Sequence, residues 1–136
     1  MLAEETVRAC LAAWAERDID KTVSFFAEDM RFSLHVEEGH LDLAGTAVGR
    51  ALVRERLQHL LNTFDFLAYV VDSAKADGPL VRTASLYFYR HKASGLMIDG
   101  RYRHVWRVEN GVIQSCDEYH DAAALKAFLE LAAQSS

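Results

Sequence analysis

Between Asp99 and Asp121 polar and apolar positions alternate with period two over a longer span than anywhere else in the chain. Gly100, Tyr102, His104, Trp106 and Val108 share one phase, and Arg101, Arg103, Val105 and Arg107 the other. This predicts a β-strand with an aromatic face and a basic face. Asn110-Gly111 then interrupts the pattern, and Asn-Gly between two such runs predicts a tight hairpin. On the predicted return strand, Val112 to His120, Cys116, Glu118 and His120 share one face, and Ile113, Ser115, Asp117 and Tyr119 the other. Asp121 is placed to cap a closing helix that carries Leu125, Phe128 and Leu129 at helical spacing.

Upstream, Val7, Cys10, Leu11, Trp14 and Ala15 form the stripe of an amphipathic helix over residues 3–17. A short helix is predicted over Thr22–Ala27, with Phe25 and Phe26 tucked inward. A strand follows in which Met30, Phe32, Leu34 and Val36 alternate with Arg31, Ser33 and His35. Residues 37–47 read as loop with a possible short strand at 41–43. Thr46 or Gly49 then leads into a helix with Val53, Leu57, Leu60, Leu61 and Phe64 on one side, and Arg50, Arg54, Glu55 and Gln58 on the solvated side. Two further strands are expected, Phe66–Ala76 and Leu80–His91, joined by the Asp77-Gly-Pro79 turn. On the second, Thr83, Ser85, Tyr87, Tyr89 and His91 share a face. Helices gathered on one side of a strongly bent, mainly antiparallel sheet define an α+β cone. Such a cone leaves an apolar pocket at its mouth, the expected place for a small-molecule ligand.

Composition narrows the partners. The chain has 136 residues, 51% hydrophobic, with a net charge of −5. That length suits a single domain over residues 1–136, and the acidic balance argues against nucleic acid as a partner. No run approaches the ~18 apolar residues of a membrane span, and Met1-Leu-Ala-Glu-Glu-Thr6 does not read as a signal peptide. Cys10 and Cys116 lie far apart with no CxxC spacing, so free thiols and a cytoplasmic location are expected. The six histidines are scattered without HxH or HExxH spacing, so no metal site is expected. No glycine-rich phosphate loop or GxSxG nucleophile elbow is present either. No cofactor is expected.

The hairpin phases bring His104 and Glu118 to one concave face. Desolvation in an apolar cone raises the pKa of a carboxylate, whereas an adjacent imidazolium lowers it, and the opposition can place a group near neutrality. There it is suited to general acid–base catalysis. The same pair could equally be two buried polar groups that satisfy each other across the hairpin.

Trp14–Asp20, Phe25–Asp29, Gly49–Val53, His104–Ile113 and Glu118–Asp121 together resemble the SnoaL-like family of the nuclear transport factor 2-like, ketosteroid isomerase superfamily. The resemblance spans essentially the whole chain and implies the cone. It bears less on activity, because this fold carries isomerases, cyclases, dehydratases, epoxide hydrolases and noncatalytic binders. The positions matching the ketosteroid isomerase base and oxyanion donors are Leu34, Cys10 and His104, and a leucine cannot abstract a proton. Of the epoxide hydrolase relay, whose positions match Tyr87, Ser85, Glu118, Phe32 and Leu34, only the carboxylate of Glu118 survives. SnoaL-type polyketide cyclases resemble the chain better. They use an acid/base carboxylate on the last strand and a histidine on its neighbour, matching Glu118 (Glu for Asp) and His104.

The expectation is therefore a cofactor-independent acid–base enzyme, an isomerase, cyclase or dehydratase, acting on an apolar carbonyl compound. Glu118 and His104 are its catalytic candidates. Trp14, Phe32, Leu34, Tyr87, Tyr102, Trp106, Cys116 and His120 are expected to line the pocket. The alternative is a noncatalytic ligand-binding or dimeric assembly module. The outward phase (Arg82, Leu86, Phe88, Arg90, Arg101, Arg103, Val105 and Arg107) combines apolar groups with arginines, which predicts a homodimer through the outer sheet face.

Overall fold

The computed structural model describes residues 2–35, 45–119 and 122–135. Helix α1 (Ala3–Ala15) buries Val7, Cys10, Leu11 and Trp14, the stripe expected of it. Glu4 and Glu5 sit in its first turn, where they oppose the helix dipole, and Glu5 accepts the Leu2 N–H at 3.3 Å.

The expected short helix is displaced. Helix α2 spans Ile19–Val23 and is capped by Asp18, which accepts the Lys21 N–H. Strand β1 (Phe26–His35) then begins at Phe26, the second of the aromatic pair assigned from sequence to that helix. The reason is tertiary: the Phe25 carbonyl accepts the Ile113 N–H at 2.8 Å, and Phe26 pairs with Ile113 in the sheet. β1 also buries Ser33 beside Leu34, and the Ser33 hydroxyl bonds Thr46 at 2.9 Å. Strand β2 (Gly45–Val48) holds Thr46, so helix α3 (Arg50–Thr63) starts at Gly49 and not at Thr46. The possible strand at 41–43 and the Asp121 cap fall outside the described residues.

The long strands follow: β3 (Phe64–Asp77), β4 (Leu80–His91), β5 (Met97–Glu109) and β6 (Val112–Tyr119), then helix α4 (Ala122–Ser135). One six-stranded sheet has the order β2-β1-β6-β5-β4-β3. All neighbouring pairs are antiparallel except β1 with β6. The ladder shifts register within β3, between Phe66 and Ala68 and again between Val71 and Ser73. Bulges of this kind sharpen twist and bend the sheet, giving an open α+β cone.

A further shift, between Arg107 and Val108, changes the expected phase of the return strand. Ile113 pairs with Val108 and is fully buried, on the inner side with Cys116, where strict alternation had put it outside.

Two clusters fill the cone. One is mainly aliphatic and gathers Val7, Leu11, Met30, Val53, Val81 and Ile113. The other is aromatic, built from Trp14, Phe64, Phe66, Tyr87, Tyr89 and Tyr102.

Candidate functional site

A cavity of about 270 Å³ lies where the two clusters meet, bordered by α1, α3 and the inner face of the sheet. This is near the lower end of the ~300–1,000 Å³ usual for small-ligand pockets. Trp14, Phe32, Leu34, Tyr87, Tyr102 and Trp106 all line it, and so do His104 and Glu118. Cys116 does not. It is buried between Phe32 and Trp106 in the sheet register, and those two larger side chains reach the cavity where the short thiol stops. His120 lies outside the described residues.

His104 on β5 and Glu118 on β6 are directly paired across the ladder, so their side chains leave the same face. His104 Nε2 and Glu118 Oε1 are 2.6 Å apart, and the side chains are only 5% and 15% exposed. A contact this short in a poorly solvated setting is a charge-assisted hydrogen bond. His104 Nδ1 is buried without a partner among the described residues. Because a carboxylate only accepts, Nε2 carries the proton of the hydrogen bond to Glu118.

The neighbouring rings hold this pair in place. His104 stands between Tyr102 and Trp106, with ring centroids 5.7 and 5.3 Å away. The Trp106 indole is anchored in turn by donating its N–H to Thr83 Oγ1 at 2.9 Å.

Four of the five tyrosines of the chain line the cavity: Tyr69, Tyr87, Tyr89 and Tyr102. Burial pushes the phenols of Tyr69, Tyr89 and Tyr102 above their ordinary pKa, and the negative charge of Glu118 adds to the effect in all three. They therefore remain protonated around neutral pH. Tyr69 and Tyr89 were not expected as wall residues, although Tyr89 shares the phase of Tyr87. Arg56 and His59 of α3 were not expected either, and both line the cavity with Leu60 and Thr63. Their signal was the helical spacing 56-59-60-63, which presents one continuous face.

Burial also pushes the Cys10 thiol up to about 12 and the Cys116 thiol well above its ordinary value, so neither is a nucleophile at neutral pH. Among the described residues no three His, Cys, Asp or Glu side chains gather as metal ligands, and no helix is long and apolar enough to cross a membrane.

The bent sheet wrapped on helices, with a cavity between them, is the nuclear transport factor 2-like cone. Residues 7–116 match the SnoaL-like domain, and the chain belongs to that family. No curated protein matches its sequence. Solved structures with the same fold include TerC crystallised with polyporic acid, at 20% identity and TM-score 0.80, with 94% of this chain and 98% of that one covered. An NTF2-like protein from Burkholderia pseudomallei is 22% identical with TM-score 0.81, covering 92% of this chain and 95% of its own. A protein of ketosteroid isomerase-like fold from Catenulispora acidiphila, in complex with trimethylamine, is 18% identical with TM-score 0.75, over 90% and 92% of the two chains.

Proposed function

We propose that this protein is a cofactor-independent acid–base catalyst acting on an apolar, enolisable carbonyl compound held in the cavity. The observation that carries the reading is the 2.6 Å His104–Glu118 pair, buried in the wall of a largely aromatic pocket. Glu118, as the carboxylate, removes a proton from the carbon beside the carbonyl. Charge then develops on the carbonyl oxygen, and protonated tyrosine hydroxyls are the available donors to stabilise it. Glu118 returns the proton at another carbon in an isomerisation. In a cyclisation the enolate carbon attacks a second carbonyl and Glu118 protonates the new alkoxide. His104 orients the carboxylate through their hydrogen bond. Two relatives of the same fold hold small molecules, polyporic acid and trimethylamine, which supports a ligand role for the cavity.

The competing reading is a noncatalytic binder, favoured by the fact that His104 and Glu118 already satisfy one another. Deuterium exchange at the α-carbons of 2-tetralone, followed by NMR, separates the two. The wild type should accelerate exchange, and Glu118→Gln, nearly isosteric, should lower the enzymatic rate about a hundredfold or more while keeping the fold. Binding of the ketone without accelerated exchange would support the binder. Exchange by Glu118→Gln at the wild-type rate would remove Glu118 from the chemistry.

The same reading includes a homodimer. Leu86 and Phe88 on the outer side of β4 are 40% and 39% exposed, and Leu67 and Val70 on β3 are 44% and 55% exposed. A patch of this kind on a solvent-facing sheet marks an interface. Light scattering should give about twice the 15.3 kDa protomer mass, and Phe88→Glu should restore the monomer. A monomeric wild type would show that this face is simply solvated.

A further inference from the structure

Three arginines project from α3, and two of them have partners. Arg50 donates to the Phe26 carbonyl at 3.4 Å, and Arg54 to Asp20 Oδ1 at 2.7 Å. Arg56 differs: it lines the cavity, and its Nη1 is buried with no hydrogen-bond partner among the described residues. A buried guanidinium nitrogen without an acceptor costs on the order of 1–3 kcal/mol or more, so its presence in a ligand cavity calls for an explanation. Glu118 is the sole carboxylate among the lining residues described, and it does not supply that nitrogen with an acceptor. The remaining walls are mostly aromatic and aliphatic and offer no other anion.

We propose that Arg56 is the anion-binding end of the pocket, and that the natural ligand is an aromatic or otherwise apolar monoanion, a carboxylate or an acidic enolate. Its charged oxygens accept hydrogen bonds from the Arg56 guanidinium, and its rings lie among the cavity tyrosines and tryptophans. Planar guanidinium suits this task better than an ammonium would, because it meets two oxygens at once and is weakly hydrated. The arrangement also divides the labour of the site. The helix side holds the fixed charge of the ligand, and the sheet side presents Glu118 and His104 to its reacting carbon. The assignment rests on the reading of the cavity as the ligand site, but it does not need turnover.

The test compares 2-naphthoate with its neutral isostere 2-naphthamide, by quenching of Trp14 and Trp106 fluorescence or by calorimetry. Wild type should bind the anion at least about tenfold more tightly than the amide, as expected for a charge-assisted bidentate contact. Arg56→Gln should abolish that preference, bringing the affinities for the two probes within about twofold of each other, and Arg56→Lys should keep part of it. Equal wild-type affinity for the two probes would overturn the assignment while leaving the cavity reading intact. So would an anion preference that survives in Arg56→Gln. Binding of neither probe would overturn both. The wild-type comparison is decisive by itself should a variant fail to fold.

Discussion

Gly100 stands directly opposite Tyr87 in the β4–β5 ladder, and the tyrosine ring lies over it. A Cβ at position 100 would meet Tyr87 Oη at 2.6 Å and two ring carbons at 2.8 Å. The ring has little freedom to withdraw, since its centroid is 4.4 Å from that of Tyr102 and 4.6 Å from that of Tyr89. The glycine therefore sets the position of Tyr87 in the pocket wall without lining the cavity itself. Gly100→Ala should destabilise the fold by about 1–3 kcal/mol through overpacking. It should also weaken 2-naphthamide binding as Tyr87 shifts. Chemical denaturation and the same fluorescence titration measure both effects, and an unchanged variant would mean that the ring moves freely. At this scale the alternation along each strand singled out His104 and Glu118, but their direct pairing depends on the register shift between Arg107 and Val108, because a plain two-residue turn would set His104 opposite Asp117. The sequence could not expose the unpaired nitrogen of Arg56. An arginine on an amphipathic helix reads as solvated, and only the three-dimensional placement shows that Arg50 and Arg54 find acceptors where Arg56 Nη1 does not.

Among the elements, the hairpin that carries the site is set by its turn. Asn110 and Gly111 have φ of 52° and 74°, the pair of positive values that a type I′ turn requires. Asparagine tolerates this region and glycine enters it freely, whereas a Cβ at Gly111 would be strained. Gly111→Ala should therefore cost about 1–2 kcal/mol in urea denaturation, while Asn110→Gly should be nearly neutral; a fully stable Gly111→Ala would show that the hairpin is held by its ladder alone. Elements with strong local signals, α1, α3 and β3 to β6, are legible in the amino-acid pattern alone. The errors fall where distant partners decide. Phe25 and Phe26 look helical next to Thr22 and Val23, yet the β6 edge takes the Phe25 carbonyl as an acceptor and recruits Phe26 into a strand. Ile113 faces inward opposite Val108 as the two-residue turn requires, and the ladder then slips by a residue so that Cys116 and Glu118 face inward as well, which an alternating pattern does not reveal.

For the molecule as a whole, burying so many titratable hydroxyls and thiols ties stability to alkaline pH. The Cys10 thiol loses its proton at about 9.0 in an unfolded chain and at about 12 in the folded one. Its contribution to stability is therefore complete below pH 9 and is lost between about pH 9 and about pH 12. Tyr69, Tyr89 and Tyr102, also raised by burial, act in the same direction from about pH 10 upward. Urea midpoints should decline steadily above about pH 9, with the tyrosinate absorbance band of these residues rising only as the chain unfolds. A smooth phenol titration in the native state would mean that the aromatic cluster admits water.

The parallel seam between β1 and β6 has a consequence for biogenesis. His35 Nε2 and Asp117 Oδ1 meet at 2.9 Å across this seam, although 82 residues of chain separate them. While the polypeptide emerges from the ribosome, β1 can pair with β2, but its other edge stays bare until β6 is translated. Long-range closure of this kind slows folding into the millisecond-to-second range, and an open strand edge invites association with other chains. The final hairpin is thus both the bearer of the proposed chemistry and the closing latch of the sheet. A truncated product ending before Val112 would lack the acid–base pair and would leave the Phe26–His35 edge uncovered, a substrate for chaperones or proteolysis instead of a folded intermediate.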